Sequence, residues 1–201
     1  MTKKLQTEHV CQLFDSDETR AETVAAFLAE GLRAGECVVV AVRPLHWKSV
    51  VARLGKLGLS VDTEVAEGRL IVKDAFTTLA QLTPRGRLNP FAFNETVGAA
   101  VRELSRRGRV RAYGEMVDIL IERGDLDEAL ELEELWNQAG EMVSLSLLCS
   151  YTAAHFVAPA THRSLRDLCL AHTDVRRNPL DTLGDWILTT AHHPGGSSLS
   201  H

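Results

Sequence analysis

Residues 110–151 decide the fold and read VRAYGEMVDILIERGDLDEALELEELWNQAGEMVSLSLLCSY. A short apolar run, VRAY, ends at Gly114. A pattern rich in leucine and acidic residues follows and predicts a helix near residues 127–139, and a second apolar run spans residues 143–149. Two buried strands joined through a helix form a parallel βαβ unit, and the residues just after such strands line the ligand crevice. This stretch therefore predicts a binding fold without naming the ligand.

The preceding part of the chain repeats the alternation of short apolar runs and amphipathic helices. Strand-like runs lie at residues 10–14, 36–42 and 70–72, and the β-branched run ECVVVAV is typical of a strand covered on both faces. Alternating strands and helices predict an α/β fold with a mostly parallel central sheet and helices on both faces, arranged as a three-layer sandwich.

Two other parts of the chain have weaker patterns. Residues 74–93 include PRGRLNPF, whose prolines and arginines predict an exposed loop, and Asn94 is expected to cap the helix that follows. Further helices are predicted near residues 161–172 and 180–192. We divide the chain into a main domain, a helical extension that packs on it and a disordered tail, at residues 8–157, 158–190 and 191–201.

The composition limits the classes of partner. The formal net charge of −5 and the pI near 5.9 argue against a nucleic-acid-binding surface, which is usually basic. No apolar run reaches the length of about eighteen residues that a membrane span needs. The N-terminal MTKKLQTEH lacks the apolar centre of a signal peptide. We therefore expect a cytoplasmic protein that binds neither nucleic acid nor membrane directly.

The four cysteines form no CxxC pair and lie at positions 11, 37, 149 and 169. In a reducing cytoplasm they are expected to be free thiols. Cys11, Cys37 and Cys149 lie inside apolar strand-like runs, so we expect them to be buried and to act as small hydrophobic residues.

The turn after the first predicted strand is acidic, Asp15-Ser16-Asp17-Glu18. A RecA-type fold carries its phosphate loop at this point, and that loop needs glycines and a lysine. Three carboxylates would instead repel a polyphosphate, which argues against Mg-ATP hydrolysis. The sequence also has no GxSxG elbow and no Ser-His-Asp arrangement. We therefore expect no enzymatic activity and no cofactor.

Residues that follow the predicted strands are candidates for one ligand crevice. Glu115 is expected to be a polar anchor there, or alternatively a carboxylate favoured by the start of a helix. Strand order in a doubly wound sheet would bring the ends of the strands at 110–114 and 143–149 close to Phe14. The candidate ligand-binding residues are Asp15, Ser16, Tyr113, Glu115, Met116, Cys149 and Tyr151.

A metal site is not expected from the sequence. His9 and Cys11 resemble a pair of ligands that Cys149 might join. We place His9 at the start of one strand and Cys149 at the end of another, which separates them by roughly 15 Å at about 3.3 Å per residue. His9 and Cys11 alone are fewer than the three or four protein ligands of a zinc site.

The predicted helix at residues 127–139 has one apolar face and many acids. Leu132, Leu135, Trp136 and Ala139 share that face at helical spacing and are expected in the core. The acids of the helix, including Glu133, are expected to be solvated.

Six segments together resemble the DcmR-type sensory domain, called MEDS. They are HVCQLFD (9–15), AFLAEGLRAGECVVVAV (26–42), EGRL (67–70), VRAYGEMVDIL (110–120), LELEELWN (130–137) and SLLCSY (146–151). The resemblance covers residues 8–157 and implies a RecA/KaiC-like fold that lacks the phosphate loop. Members of the family are described as sensors of small molecules, with hydrocarbon derivatives proposed as ligands. Besides Tyr113, Glu115, Cys149 and Tyr151, the positions that match the family motifs are His9, Cys11, Glu133 and Trp136.

The resemblance implies a non-enzymatic sensory domain that binds a small molecule at the carboxyl edge of the sheet. Such domains are often joined to a DNA-binding or histidine-kinase domain, and residues 158–201 match neither. The signal is then expected to pass to a separate histidine kinase or transcription regulator, or through formation of a homo-oligomer. The alternatives are a nucleotide-binding protein with an atypical phosphate site and an interaction module without ligand.

Overall fold

The computed structural model describes residues 5–192 and shows one parallel β-sheet. Within these residues its strands are β1 (Thr7–Phe14), β2 (Cys37–Val42), β3 (Leu70–Asp74), β4 (Val110–Gly114), β5 (Leu145–Thr152) and β6 (Asp174–Arg176). They lie in the order β3-β2-β4-β5-β1-β6, and every pair of neighbours is parallel. The predicted α/β class is confirmed, and β6 is a strand that the sequence pattern did not predict.

Helices cover both faces of the sheet. Within the same residues they are α1 (Asp17–Arg33), α2 (Pro44–Lys56), α3 (Val61–Ala66), α4 (Ala75–Leu82), α5 (Pro90–Phe93), α6 (Ala99–Ser105), α7 (Met116–Glu122), α8 (Leu126–Met142), α9 (His162–Leu170) and α10 (Thr182–His192). Apolar residues of α1 and α2 form one core, and those of α4 to α10 form a second core on the opposite side. We call these two sides the α1 face and the α8 face.

The direction of each crossover explains which helix lies on which face. From β1 through β2 to β3 the chain moves one way across the sheet, and from β3 through β4 and β5 to β6 it moves back. Right-handed crossovers place helices of opposite direction on opposite faces. As a result α1 leaves β1 toward one face and α7 leaves β4 toward the other, which opens a crevice at the carboxyl ends of the strands.

The register of β1 and β5 determines which side chains meet. Cys11 lies opposite Cys149, and Leu13 lies opposite Tyr151. Successive side chains of a strand point to opposite faces. Cys11, Cys149 and Tyr151 therefore point to the α8 face, while Ser150 points to the α1 face. Cys11, Cys37 and Cys149 are buried free thiols, as predicted.

Residues 74–93, where the pattern was weak, contain two short helices on either side of the loop predicted from PRGRLNPF. Asp74 caps α4, and Asn89 caps α5 by accepting hydrogen bonds from the backbone of Phe91 and Ala92. The loop prediction is confirmed for residues 84–89, whereas Pro90 and Phe91 begin α5, because the first turn of a helix tolerates proline well. Asn94, predicted as a cap, instead begins a π-helical turn, Asn94–Gly98, between α5 and α6.

The edges of the described region also differ from expectation. Strand β3 is an edge strand, and Val72, predicted to be buried, is 37% exposed. Residues 158–190 supply α9, β6 and most of α10. The predicted disordered tail lies almost entirely outside the described residues, as do residues 1–4. Across residues 5–192, no helix has both the length and the hydropathy of a membrane span.

Candidate functional site

The sheet separates the residues predicted to form one crevice. Tyr113 and Glu115 lie on the α1 face, whereas Cys149 and Tyr151 lie on the α8 face. Met116 is buried in the core of the α8 face. The prediction that these side chains share a single crevice is therefore wrong, because successive side chains along β4 and β5 point to opposite faces of the sheet.

Asp15 and Ser16 are used to hold helices. The Asp15 carboxylate accepts hydrogen bonds from the backbone N–H groups of Leu183 (2.7 Å) and Gly184 (2.8 Å) at the start of α10. The Ser16 hydroxyl caps α1 by accepting from the N–H of Thr19. A Cβ on Gly184 would lie 3.1 Å from the Cβ of Leu13, so α10 packs closely on the end of β1. The turn where a phosphate loop would lie is thus tied to the starts of α10 and α1, although residues 15–18 remain exposed.

Glu115 is fully buried at the end of β4 and accepts several hydrogen bonds. The Tyr113 hydroxyl donates to its Oε1 at 2.6 Å, and the backbone N–H of Arg43 donates to its Oε2 at 2.8 Å. The Nδ1 of His46 lies 3.0 Å from both oxygens. Burial, together with the adjacent Glu115 charge, raises the pKa of Tyr113 well above its ordinary value, so the hydroxyl stays a donor.

A second buried carboxylate, Asp118, lies at the start of α7 beside the first. It accepts from the guanidinium of Arg43 at 2.6 Å and from the backbone N–H of Thr152 at 2.7 Å. Arg20 lies 3.8 Å away and His155 lies 3.6 Å away. Burial alone would lower the pKa of Arg43, but its hydrogen bond to Asp118 and the nearby carboxylates reverse this and raise the pKa above its ordinary value. Asp118 was not among the predicted site residues.

These two carboxylates lie behind an open cleft of about 350 Å³ at the carboxyl edge of the sheet. Its lining includes cationic, aromatic and acidic side chains: Asp17, Arg43, His46, Phe76, Glu122, Thr152 and His155. Buried Glu115 and Asp118 orient Arg43 and His46 at its wall. The cleft therefore offers several hydrogen-bond donors next to the exposed ring of Phe76.

A larger cleft, about 560 Å³, lies at the opposite edge of the sheet. It is lined by residues that precede β1, β4 and β5, including Leu5, Arg109 and Ser144. Open α/β sheets bind ligands at the carboxyl ends of their strands. We therefore take the smaller cleft as the candidate ligand site.

The α8 face contains a different polar cluster, which we call the Glu133 cluster: His9, Glu133, Cys149 and His172. The Nε2 of His9 lies 3.0 Å from Oε2 of Glu133 and 3.4 Å from the Cys149 sulfur. The Cys149 sulfur lies 3.4 Å from Oε2 of Glu133, and the Nε2 of His172 lies 3.5 Å from its Oε1. The four potential ligand atoms all lie within 4.8 Å of one another. Tyr151 also donates a hydrogen bond to Glu133.

This geometry corrects two expectations. The prediction that His9 and Cys149 lie roughly 15 Å apart was wrong, because β1 begins at Thr7 and β5 continues to Thr152. His9 is thus interior to its strand and near Cys149 across the β1–β5 pair. Glu133, expected in solvent, is fully buried. It lies one turn of α8 before Trp136, whose ring packs on Phe93 in the core as predicted.

The charges in the Glu133 cluster balance one another. Burial alone would raise the pKa of Glu133, but His172 and His9 outweigh it and hold that pKa well below the usual range. Burial would lower the pKa of His172, and the Glu133 charge raises it instead. Burial and Glu133 both raise the pKa of Cys149. Glu133 thus favours a proton on His172 and disfavours loss of the proton from Cys149.

Sequence reasoning missed His172 and Asn137 at this site. His172 follows α9, and its ring lies 4.1 Å from that of His9. Asn137 accepts from the Nδ1 of His9 at 2.8 Å. No spacing links these residues in the sequence. The one available signal was Glu133 itself, an acid one helical turn before a core tryptophan.

Comparison with known proteins gives a family and a related fold. The chain matches the family model described as MEDS, "MEthanogen/methylotroph, DcmR Sensory domain", over residues 8–173. None of the curated proteins compared with the sequence matches it. Among solved structures, the uncharacterized protein PH0321 from Pyrococcus horikoshii, crystallised in complex with an unknown peptide, has a similar fold, with a TM-score of 0.60 and 13% identity. The match covers 86% of this chain and 77% of that one.

Proposed function

The chain belongs to the MEDS family of sensory domains, and we propose that it binds a small organic molecule in the carboxyl-edge cleft and relays the bound state to a separate signalling protein. The observation that carries this proposal is the pair of fully buried carboxylates, Glu115 and Asp118, behind the cleft wall. Burying a carboxylate is costly unless it is paired. Here the pairing orients Arg43 and His46 toward an open space.

The cleft suits a small molecule that has an apolar part and an oxygen-bearing group. The ring of Phe76 is 44% exposed and lies 5.9 Å from the guanidinium of Arg43. Arg43 also contacts the exposed carboxylate of Glu122 at 2.8 Å. A ligand carboxylate or hydroxyl would replace Glu122 at this guanidinium, while the apolar part would cover Phe76. Ligand sites typically combine apolar area with a few placed polar groups in this way.

Displacement of the Glu122 carboxylate from Arg43 by a ligand would also signal the bound state to a partner protein. Glu122 ends α7, and its ion pair with Arg43 ties that helix to the start of α2. Release of the pair would free the exposed end of α7. We propose that this end and the adjacent α4 form the surface whose change a partner protein detects. The function requires no chemical step, so we propose a sensor without enzymatic activity.

The proposal is tested by thermal shift and calorimetry with short-chain alcohols and carboxylates. A ligand that binds only the folded chain raises its melting temperature. Phe76→Ala should weaken binding of a hit about tenfold. The matched control is Phe91→Ala, because Phe91 is 73% exposed and does not line the cleft.

Equal losses in Phe76→Ala and Phe91→Ala would place the ligand elsewhere. If no compound of these classes changes the melting temperature, the proposed ligand class is wrong.

A further inference from the structure

We propose that His9, Glu133, Cys149 and His172 bind one zinc ion. This site lies on the α8 face, on the other side of the sheet from the proposed small-molecule cleft. It requires the side chains to be close, correctly presented and electrically suited to a divalent cation.

The distances fit tetrahedral coordination. Zinc binds sulfur, imidazole nitrogen and carboxylate oxygen at about 2.0–2.3 Å, so ligand atoms around it are about 3.3–3.8 Å apart. The Cys149 sulfur lies 3.4 Å from His9 Nε2 and 3.4 Å from Glu133 Oε2. His172 Nε2 lies 3.5 Å from Glu133 Oε1, and His9 Nε2 lies 3.0 Å from Glu133 Oε2. The remaining pairs of ligand atoms lie within 4.8 Å of one another, so the widest pair would close by at most about 1 Å to complete the tetrahedron.

Both imidazoles present Nε2 to the centre because their other nitrogens are engaged. The Nδ1 of His172 lies 2.7 Å from the carbonyl oxygen of Leu168, which can only accept, so this nitrogen carries the proton. The amide of Asn137 is oriented by donating from Nδ2 to the carbonyl of Ala171 at 3.0 Å. Its Oδ1 therefore faces the Nδ1 of His9 at 2.8 Å and accepts from it.

Metal-binding histidines are held in this way in known sites, where the second ring nitrogen donates to a carbonyl, carboxylate or amide. In a core without metal, one hydrogen bond of this kind would satisfy the N–H group of each histidine ring. Here both anchors also leave the two free nitrogens facing the same carboxylate. The arrangement is that of a ligand set with its supporting hydrogen bonds already made.

The charge of the site also favours a cation. The Glu133 carboxylate is fully buried and faces His9, Cys149, Tyr151 and His172. A zinc ion would be bound by this carboxylate, by a thiolate and by two neutral imidazoles, with the thiol proton and any proton on the Nε2 of His172 released to solvent. The ligand charges would then cancel the charge of the ion. Four protein ligands leave no open position, which is typical of a structural or regulatory zinc site.

Zinc would join parts of the chain that are distant in sequence. His9 lies on β1, Glu133 on α8, Cys149 on β5, and His172 just after α9. The ion would therefore fasten the segment between α9 and β6 to the centre of the sheet. Cys11 and Cys169 are not among the residues whose ligand atoms lie within 4.8 Å of one another, so they are not part of the ligand set.

The test uses the full chain without an added tag, stripped of metal. Zinc is titrated against a competing chelator, and Co²⁺ is bound in its place for absorption spectroscopy. We expect one zinc per chain and a cobalt spectrum with a thiolate charge-transfer band and tetrahedral d–d bands. Cys149→Ser should abolish the thiolate band and weaken zinc binding by at least about tenfold. Cys37→Ser, which replaces a buried thiol outside the cluster, should change neither result.

The cobalt spectrum of the unaltered chain keeps the test decisive even if Cys149→Ser does not fold. A spectrum without the thiolate band overturns the proposal. Zinc binding that is equally strong in Cys149→Ser also overturns it, because the ion would then occupy other ligands, such as histidines near the C-terminus.

Discussion

Replacing Tyr113 by phenylalanine tests the buried hydrogen-bond network around Glu115. The ring of Tyr113 is 1% exposed, and phenylalanine preserves its packing. The substitution removes the hydroxyl that donates to Glu115 at 2.6 Å and contacts the Ser150 hydroxyl at 2.9 Å. Only hydrogen bonding changes, so the loss can be worked out from the contacts.

A hydrogen bond to a charged group contributes about 1.5–3 kcal/mol, and a neutral one contributes about 1 kcal/mol. We therefore expect Tyr113→Phe to lower the free energy of unfolding by about 3 kcal/mol. For a domain of this size, that corresponds to a fall in Tm of roughly 6–12 °C, at about 2–4 °C per kcal/mol. The matched control is Ser150→Ala, which removes the neutral bond and leaves the bond to Glu115 intact. It should cost about 1 kcal/mol.

Urea unfolding followed by circular dichroism measures both variants, with the slope m expected to stay unchanged. If Tyr113→Phe is no less stable than Ser150→Ala, the hydrogen bond from Tyr113 to Glu115 does not contribute the expected free energy. Glu115 would then gain its stabilisation from the backbone of Arg43 and from His46 alone.

A Cβ on Gly140 would lie 2.6 Å from the methyl group of Thr7. We therefore expect Gly140→Ala to lower the free energy of unfolding by about 1–3 kcal/mol, as measured by denaturation. Adding Thr7→Ser, which removes that methyl group, should restore most of the lost stability. Ile187→Ala should cost about 2–5 kcal/mol because this side chain of α10 is fully buried, whereas Trp186→Ala, at a 53% exposed position, should change Tm little. The thiol of Cys37 is 3% exposed and should react with a thiol reagent only on unfolding, so rapid labelling of the native chain would contradict the assigned core. Calorimetry with Mg-ATP should detect no sub-millimolar binding, and micromolar affinity would favour the nucleotide-binding alternative.

The alternation of strands and helices could be predicted because it depends on local patterns. The run at 36–42 and the strand at 110–114 each have the composition that a doubly covered parallel strand requires. The strand β6, residues 174–176, could not be found in this way. It is short, and no residue of Asp174–Arg176 is buried, so it carries no apolar signal. The further likeness to RecA/KaiC-like proteins stays a prediction.

The contacts in the candidate sites could not be predicted, because they join residues that are far apart in the sequence. Glu115 follows a strand, as the pattern predicts, but its contacts with Arg43 and His46 follow from strand order, which the pattern does not specify. Cys149 was grouped with Tyr113 in one crevice, whereas the register of β4 and β5, which the pattern does not specify, places the two side chains on opposite faces. His172 was missed for a related reason, since its place beside His9 is set by α9 and β6 together.

The first strand of the sheet has a consequence for how the protein is made. Strand β1 pairs with β5 on one side and with β6 on the other, so that Val10 faces Leu148 and Asp174. A ribosome that has released β1 must still synthesise most of the chain before either neighbour exists. Contacts of such long sequence separation form slowly, and an unpaired apolar strand is prone to aggregate while it waits. Residues 7–14 therefore wait for β5 and β6 before they pair, and a chaperone that shields them during translation should raise the yield of folded protein.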